Sequence, residues 1–350
     1  MNFRASIPIE RFVDRANQLP VTGTAPDGRD SYGDADDDEE RTTIPYVVVI
    51  GAASFDLKGR VLGDRVFEGS SNTGMLTAGI GGVGRNIAEN LARLDVATTL
   101  IAAVADDLLG ALVVQATTRA GVNTECVLTV PGGRTGTYLG LLTPDGNLLM
   151  GIDDMRIIRC VTPRVIEESR SLLRHAGMVI LDANVPLRTI RATRRICSAA
   201  GVPVCIEPVS LPLMDRIVPY LSGTALFTPN VAEAETVLKR SIASIDDALA
   251  AALELREWDI DIVVVTLGGG GAVYATSEGS GHVPAIQTDV VDESGAGTAM
   301  TAGIVCGLMH RFATDEAVAL GASAASLTLL SPETVRSDIS LEQVYEHLVV

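Results

Sequence analysis

Six short runs built largely from Val, Ile, Leu and Ala punctuate the chain: YVVVIGAA from Tyr46, ATTLIAAV from Ala97, MVILDAN from Met178, VPVCIEP from Val202, TALFTPN from Thr224 and IDIVVVTLGG from Ile260. Stretches of helical period lie between most of them. A strand that is apolar along its length must be covered on both faces, and parallel strands need crossovers that helices supply. The pattern predicts an α/β fold: a mostly parallel central sheet flanked by helices on both faces. Helices are expected at VGRNIAENLARL, with Ile87, Leu91 and Leu94 on one side, at DLLGALVVQATTRAG, and near 163–175, 186–200, 230–239 and 244–258. Two long helices rich in Ala and Gly fill Gly295 to Leu330. One stretch breaks the alternation. DLKGRVLGDRVFEGSSNTGMLTAG is polar, Gly-rich and alternating, which predicts short antiparallel strands forming a small β lid at approximately 57–78. No repeat or Pro/Gly linker divides 45–350, which reads as one domain.

The first 44 residues are of another kind. They hold ten acids and five arginines, a net −5, leaving −12 of the chain's −17 on the other 306 residues. They read as a disordered acidic tail; Glu10, Asp14 and the run Asp34 to Glu40 argue against a transit peptide. A chain this acidic repels phosphate backbones, which excludes nucleic-acid polymers as partners. No apolar run approaches the roughly 20 residues of a membrane span. Five scattered cysteines with no CxxC spacing read as buried thiols in a reducing, cytoplasmic setting, and the four histidines form no ligand pair.

In open α/β sheets ligands bind beyond the carboxyl ends of the strands. Asp56, Asn184, Glu207, Asn230 and Gly268 all fall just after predicted strands. Two glycine clusters lie between them. Gly79-Ile-Gly81-Gly82-Val-Gly84-Arg85-Asn86 contains G-x-G-x-x-G, with Asp106 about 20 residues on, as in NAD-binding Rossmann dehydrogenases. That fingerprint needs a strand running directly into its first glycine. Here the preceding SSNTGMLTA is polar and irregular, and YVVVIG ends about 28 residues too early, so the dehydrogenase reading ranks second. In Asp292-Glu-Ser-Gly295-Ala296-Gly297-Thr298 a polar loop gives way to small residues at a helix start. Backbone N–H groups there form an anion site suited to a transferring phosphoryl group. Thr266-Leu-Gly268-Gly-Gly-Gly271 lets a backbone approach a nucleotide, and Asn230-Val-Ala-Glu233 offers polar side chains for hydrated Mg²⁺ or, as plainly, a helix cap.

Taken in this order, GGVGRNIAENLARL and DESGAGTAMTAG resemble the two signatures of the ribokinase-like (PfkB) family of carbohydrate and nucleoside kinases, over about Pro45 to Leu330. IGAASFDLKG, TGTYLGLLTPDGNL, LDANVP, EPVSLP and TPNVAEAE are similar to its pseudouridine-kinase subgroup. The resemblance implies ATP-dependent phosphorylation of the primary hydroxyl of a sugar or nucleoside, and pairing of two copies through the lid. Asp56 would bind ribose hydroxyls with Gly81, Gly82 and Asn86, while Lys58 and the lid cover the base. Asn230 and Glu233 would manage Mg²⁺ through water. Thr266, Gly268 and Gly271 would line the ATP site, and Gly295, Ala296 and Gly297 the anion hole. Asp292 would belong to a monovalent-cation site for K⁺.

One position departs from the family. Its second signature ends GAGD, and the aspartate takes the proton of the attacking hydroxyl; this chain has Thr298. A hydroxyl is too weak a base for that role, and losing a general base costs about 10²–10⁴ in rate. The sequence therefore leaves three readings open: a slowed kinase or one using another base, a pseudokinase that binds nucleoside and ATP, and an inactivated variant of a working enzyme.

Overall fold

The computed structural model describes residues 45–348, so the expectation for residues 1–44 lies outside the described residues. Strand β1 (Val47–Ile50) shows why the apolar runs make a central sheet. Val47 and Val49 point into a core shared with Ile87, Leu91, Ile304 and Leu320, while Val48 and Ile50 point into another with Ile166, Ile190, Met214 and Ala251. Both faces of a period-two strand are thus buried, and every residue of β1 is fully enclosed.

The chain next makes β2 (Ser54–Val61), β3 (Gly74–Gly81), β4 (Thr98–Ala105), β5 (Val127–Val130), β6 (Gly136–Leu142) and β7 (Leu148–Asp154). It continues with β8 (Met178–Asp182), β9 (Val204–Glu207), β10 (Thr224–Phe227), β11 (Ile260–Thr266), β12 (Ala272–Ala275) and β13 (Ser280–Val283). The main sheet has the order β13-β12-β11-β10-β9-β8-β1-β4-β5, parallel except for β12 and β13. The chain leaves β1 toward β4 on one side and toward β8 on the other, so the cleft at its carboxyl end is a topological switch point.

A second sheet, β3-β2-β6-β7, stands over that end. It is larger than the lid expected at 57–78, because the hairpin of β6 and β7 doubles it. SSNTGMLTA is also less irregular than its polarity suggests. From Gly74 it forms β3, a lid strand antiparallel to β2 in which all but the last two residues are exposed, so its polar content reflects a solvated sheet.

The helix expected at 163–175 is two, Pro163–Glu168 and Arg170–Arg174, broken at Ser169 (φ −91°, ψ 11°). Leu187–Ala200, Val231–Leu238, Ile245–Arg256, Ala296–Met309 and Thr314–Leu329 fall where the sequence places them. The last two pack backbone to backbone. A Cβ at Gly303 would stand 2.7 Å from the Gly321 Cα, which is why this pair is rich in small residues. Among the described residues no helix is long and apolar enough to cross a membrane.

Candidate active site

Asp56 sits within β2, on the lid, and not directly after a strand as the sequence suggested. Ser54 Oγ donates to its Oδ1 at 2.7 Å. Burial lifts the Asp56 carboxyl above the ordinary range, opposed by Ser54, Lys58 and Arg85. Gly81 faces this carboxyl: a Cβ there would lie 1.9 Å from Asp56 Oδ2, so a side chain at 81 would displace the carboxyl from its place. Gly82, at φ 93°, starts the Val83–Arg93 helix against the Ala52 carbonyl. Asn86, buried one turn in, accepts from Arg85 Nη1 at 2.9 Å. Asp56, Lys58, Arg85 and the loop from Pro332 to Val335 border a cavity of about 430 Å³.

Two residues of this half went unread in the sequence. Asp182, the last residue of β8, is fully buried and accepts N–H groups from Ala52 (2.7 Å), Gly84 (3.0 Å) and Asn184 (2.9 Å). It ties the ends of β1 and β8 to the start of the Val83–Arg93 helix, and burial raises its pKa against those three donors. Its apolar setting, LDAN, hid it. Arg85 donates to the Ile80 carbonyl and pairs with Glu89, and burial lowers its pKa to about 10. Read only as part of a glycine signature, it is the buried cation beside Asp56.

Across the cleft, Gly295 begins the Ala296–Met309 helix at φ 89° with no side-chain cap. A Cβ at Gly295 would stand 1.8 Å from the Thr334 carbonyl, whereas at Gly297 it would meet nothing within 4 Å. The helix start is thus fixed on one side and open on the other, with uncapped amides and roughly half a positive charge of helix dipole available to an anion. Thr298 Oγ1 donates to the Gly295 carbonyl at 2.8 Å, so its hydroxyl serves the helix turn. Lys58 Nζ reaches over from β2 to Asp292 Oδ2 at 2.9 Å. Burial raises the Asp292 pKa, but hydrogen bonds from Ser294 and the Lys58 ammonium outweigh it and hold the carboxyl below its usual range. The structure therefore places Lys58 against Asp292 and joins the lid to the anion loop.

Asn230 and Glu233 form a capping box: Asn230 Oδ1 accepts from the Glu233 N–H, and Glu233 Oε2 from the Asn230 N–H, each at 2.9 Å. Both prepare the Val231–Leu238 helix start, and burial raises the Glu233 pKa. Asn230 bridges to Thr266 at the end of β11, followed by Gly268 (φ 55°) and Gly271 (φ 87°). A Cβ at Gly271 would lie 2.1 Å from the Val283 carbonyl, while Gly268 faces open space.

Glu207, at the end of β9, links the halves. Its Oε2 accepts from Thr301 Oγ1 (2.9 Å), one turn past Thr298, and from Thr228 Oγ1 (3.2 Å). Burial, then the nearby Glu233, pushes its carboxyl up to about 8. Among the described residues no group of three His, Cys, Asp or Glu side chains can hold a metal.

A lid over a switch-point cleft, an acid on the lid and a glycine-started helix opposite it form a kinase-like arrangement. The sequence profile of pfkB family carbohydrate kinases matches residues 44–340. The chain belongs to the pfkB family of carbohydrate kinases. Among its relatives, the pseudouridine kinase of Escherichia coli K12 is 31% identical over 300 residues, 85% of this chain and 95% of that protein. The ATP-dependent ribose-1-phosphate kinase of Halopiger xanaduensis is 35% identical over 232 residues, 64% and 72% of the two chains. Arabidopsis thaliana ribokinase, solved with ribose and ATP, superposes with TM-score 0.76 over 87% of this family member and 99% of that chain. At 23% identity that likeness concerns the fold.

Proposed function

We propose that this chain transfers the γ-phosphoryl group of ATP to the primary hydroxyl of a ribosyl substrate, as a pseudouridine kinase does. The observation that carries the reading is the pairing of Asp56 on the lid with the open Gly295–Gly297 helix start, bridged by Lys58 and Asp292. Asp56, with Gly81 and Asn86 beside it, holds sugar hydroxyls; the helix amides take charge developing on the transferring group. Thr266, Gly268 and Gly271 admit the nucleotide. Carboxylate and amide oxygens at Glu233 and Asn230 suit Mg²⁺, which binds through one or two carboxylates, waters and phosphates. When bound, Mg²⁺ supplies charge neutralisation at those phosphates. Two copies meeting through the lid would cover its exposed Leu76, Met150 and Ile152.

In the reaction the acceptor oxygen forms a bond to the γ-phosphorus, the bond to the β,γ-bridging oxygen breaks, and ADP leaves with the electron pair. With no carboxylate at 298, the hydroxyl proton passes to solvent water or to an oxygen of the transferred phosphoryl group, and the step runs on positioning and charge stabilisation. The same observation supports a second reading, a pseudokinase that retains both ligands. ADP release over a panel of ribosides including pseudouridine tests the proposal. Asp56→Asn should raise KM about 10- to 100-fold, the range for losing hydrogen bonds to a charged group. Turnover on no riboside, with AMP-PNP bound in a titration, favours the pseudokinase; no AMP-PNP binding overturns both readings.

A further inference from the structure

Nine of the chain's 27 Lys and Arg residues fall in the 40 positions from Arg156 to Arg195, against three acids, in a chain of net charge −17. They sit on the 3₁₀ turn Arg156–Cys160, on β8's following helix Leu187–Ala200, and on the helices Pro163–Glu168 and Arg170–Arg174. Ile157, Ile166, Leu173 and Ile190 anchor these elements in one core, so their outer sides make one face of the molecule. The acids do not balance it. Asp182 is fully buried against backbone amides, Glu168 takes Arg164 at 2.8 Å, and Glu167 takes both Arg170 and Arg195. Arg159, Arg174 and Arg188 are exposed and make no ion pair with a described residue. Arg159 and Arg188, with Arg216, line a cavity of about 800 Å³ that opens past the carboxyl end of β8, bordered by Asn184 and Pro186. Guanidinium groups gathered without counter-charge repel one another until an anion joins them.

The chain enters this face at its other end. Pro45 packs on Gly177, where a Cβ would stand 2.7 Å from it. The Tyr46 carbonyl accepts the Gly177 N–H at 2.9 Å, and Tyr46 Oη donates to the Leu172 carbonyl at 2.7 Å. Pro45 therefore lies beside the end of the Arg170–Arg174 helix, at the amino end of β8, and Tyr46 joins the core beneath the arginines. Earlier in the sequence, Asp34–Glu40 holds six acids in seven residues and no base. Glu40 stands five residues before Pro45, and Asp34 eleven. At about 3.3 Å per residue that is a reach of about 16 to 36 Å, while the face from Gly177 to Asn184 runs about 23 Å along the strand.

We infer that the acidic run Asp34–Glu40 docks on the arginine face of its own chain, with Glu40 toward the Arg170–Arg174 helix and Asp34 at the cavity. The run supplies the counter-charge that the face lacks. Exposed ion pairs are individually weak, but a tethered run presents several together at roughly millimolar effective concentration. The inference concerns a surface outside the cleft between lid and anion loop, and it stands or falls apart from the kinase reading. The test places the photo-crosslinking residue p-benzoylphenylalanine at position 35, in place of Ala35, in the full chain and maps the linked peptides by mass spectrometry. In about 50 mM salt most links should fall within the same chain, on 153–159, 184–188 and 213–216. Their yield should drop at least about five-fold in about 0.5 M salt, where screening is nearly complete within a few ångströms. Arg159→Glu with Arg188→Glu should cut the yield as far, while Lys at both positions should keep most of it. Asp36→Asn, Asp37→Asn and Asp38→Asn together should cut it too, in a variant whose residues 45–350 are unchanged. Links scattered over other surfaces, links between two chains, no links, or a yield indifferent to salt and to these variants each overturns the inference.

Discussion

Glu207 gives the cleft a titration of its own. With its carboxyl pushed up to about 8 in the fold and near 4.5 when unfolded, the folded state holds the extra proton between those values. The sign follows: its contribution is fully present below about pH 4.5 and is lost as pH rises through 8. Glu207→Gln keeps a polar group beside Thr228 and Thr301 without that titration. Thermal denaturation at pH 6 and at pH 8.5 should show the wild type losing more stability with rising pH than the variant; equal losses would mean that the carboxyl is not held protonated. The sequence pointed to Glu207 by its place after an apolar run. Asp182 escaped it because two of its three amide donors, Ala52 and Gly84, lie 130 and 98 residues away in the chain, and Arg85 because its Nε donates to Thr117 Oγ1, 32 residues on, from a burial that no local pattern marks.

Among the elements, apolar strands and their crossover helices were legible because burial on both faces writes itself into every position of a run such as Val47–Ile50. The lid was half legible. Its β2–β3 half stood out as a Gly-rich interruption, but the hairpin of β6 and β7 has turn residues and alternation too ordinary to mark it as part of the same sheet. The Ala- and Gly-rich helices were placed without their reason, the contact of Gly303 with Gly321. Gly303→Val should force the Ala296–Met309 and Thr314–Leu329 helices apart, at a cost of about 1–3 kcal/mol in urea unfolding. An unchanged midpoint would show that the two backbones are not in close contact.

At the scale of the molecule, the fold brings a lid acid, a buried carboxylate floor and a glycine-started helix to one switch point, with Lys58 and Asp292 joining lid to body. The pfkB family match spans all of these parts, and the resemblance of DESGAGTAMTAG to the family's second signature implies an aspartate where this chain has Thr298. We propose that binding is intact and proton removal is impaired. Thr298→Asp restores a carboxylate at the third position of a helix, where negative charge is favoured, so the fold should accept it. The deciding measurement is steady-state kinetics of wild type and Thr298→Asp on the acceptor that the wild type binds best. A kcat at least about 10² higher in the variant with KM little changed is expected, the mark of a group that acts chiefly in the transition state. A wild type already turning over at the roughly 1–100 s⁻¹ usual for kinases, with nothing added by the aspartate, would contradict it.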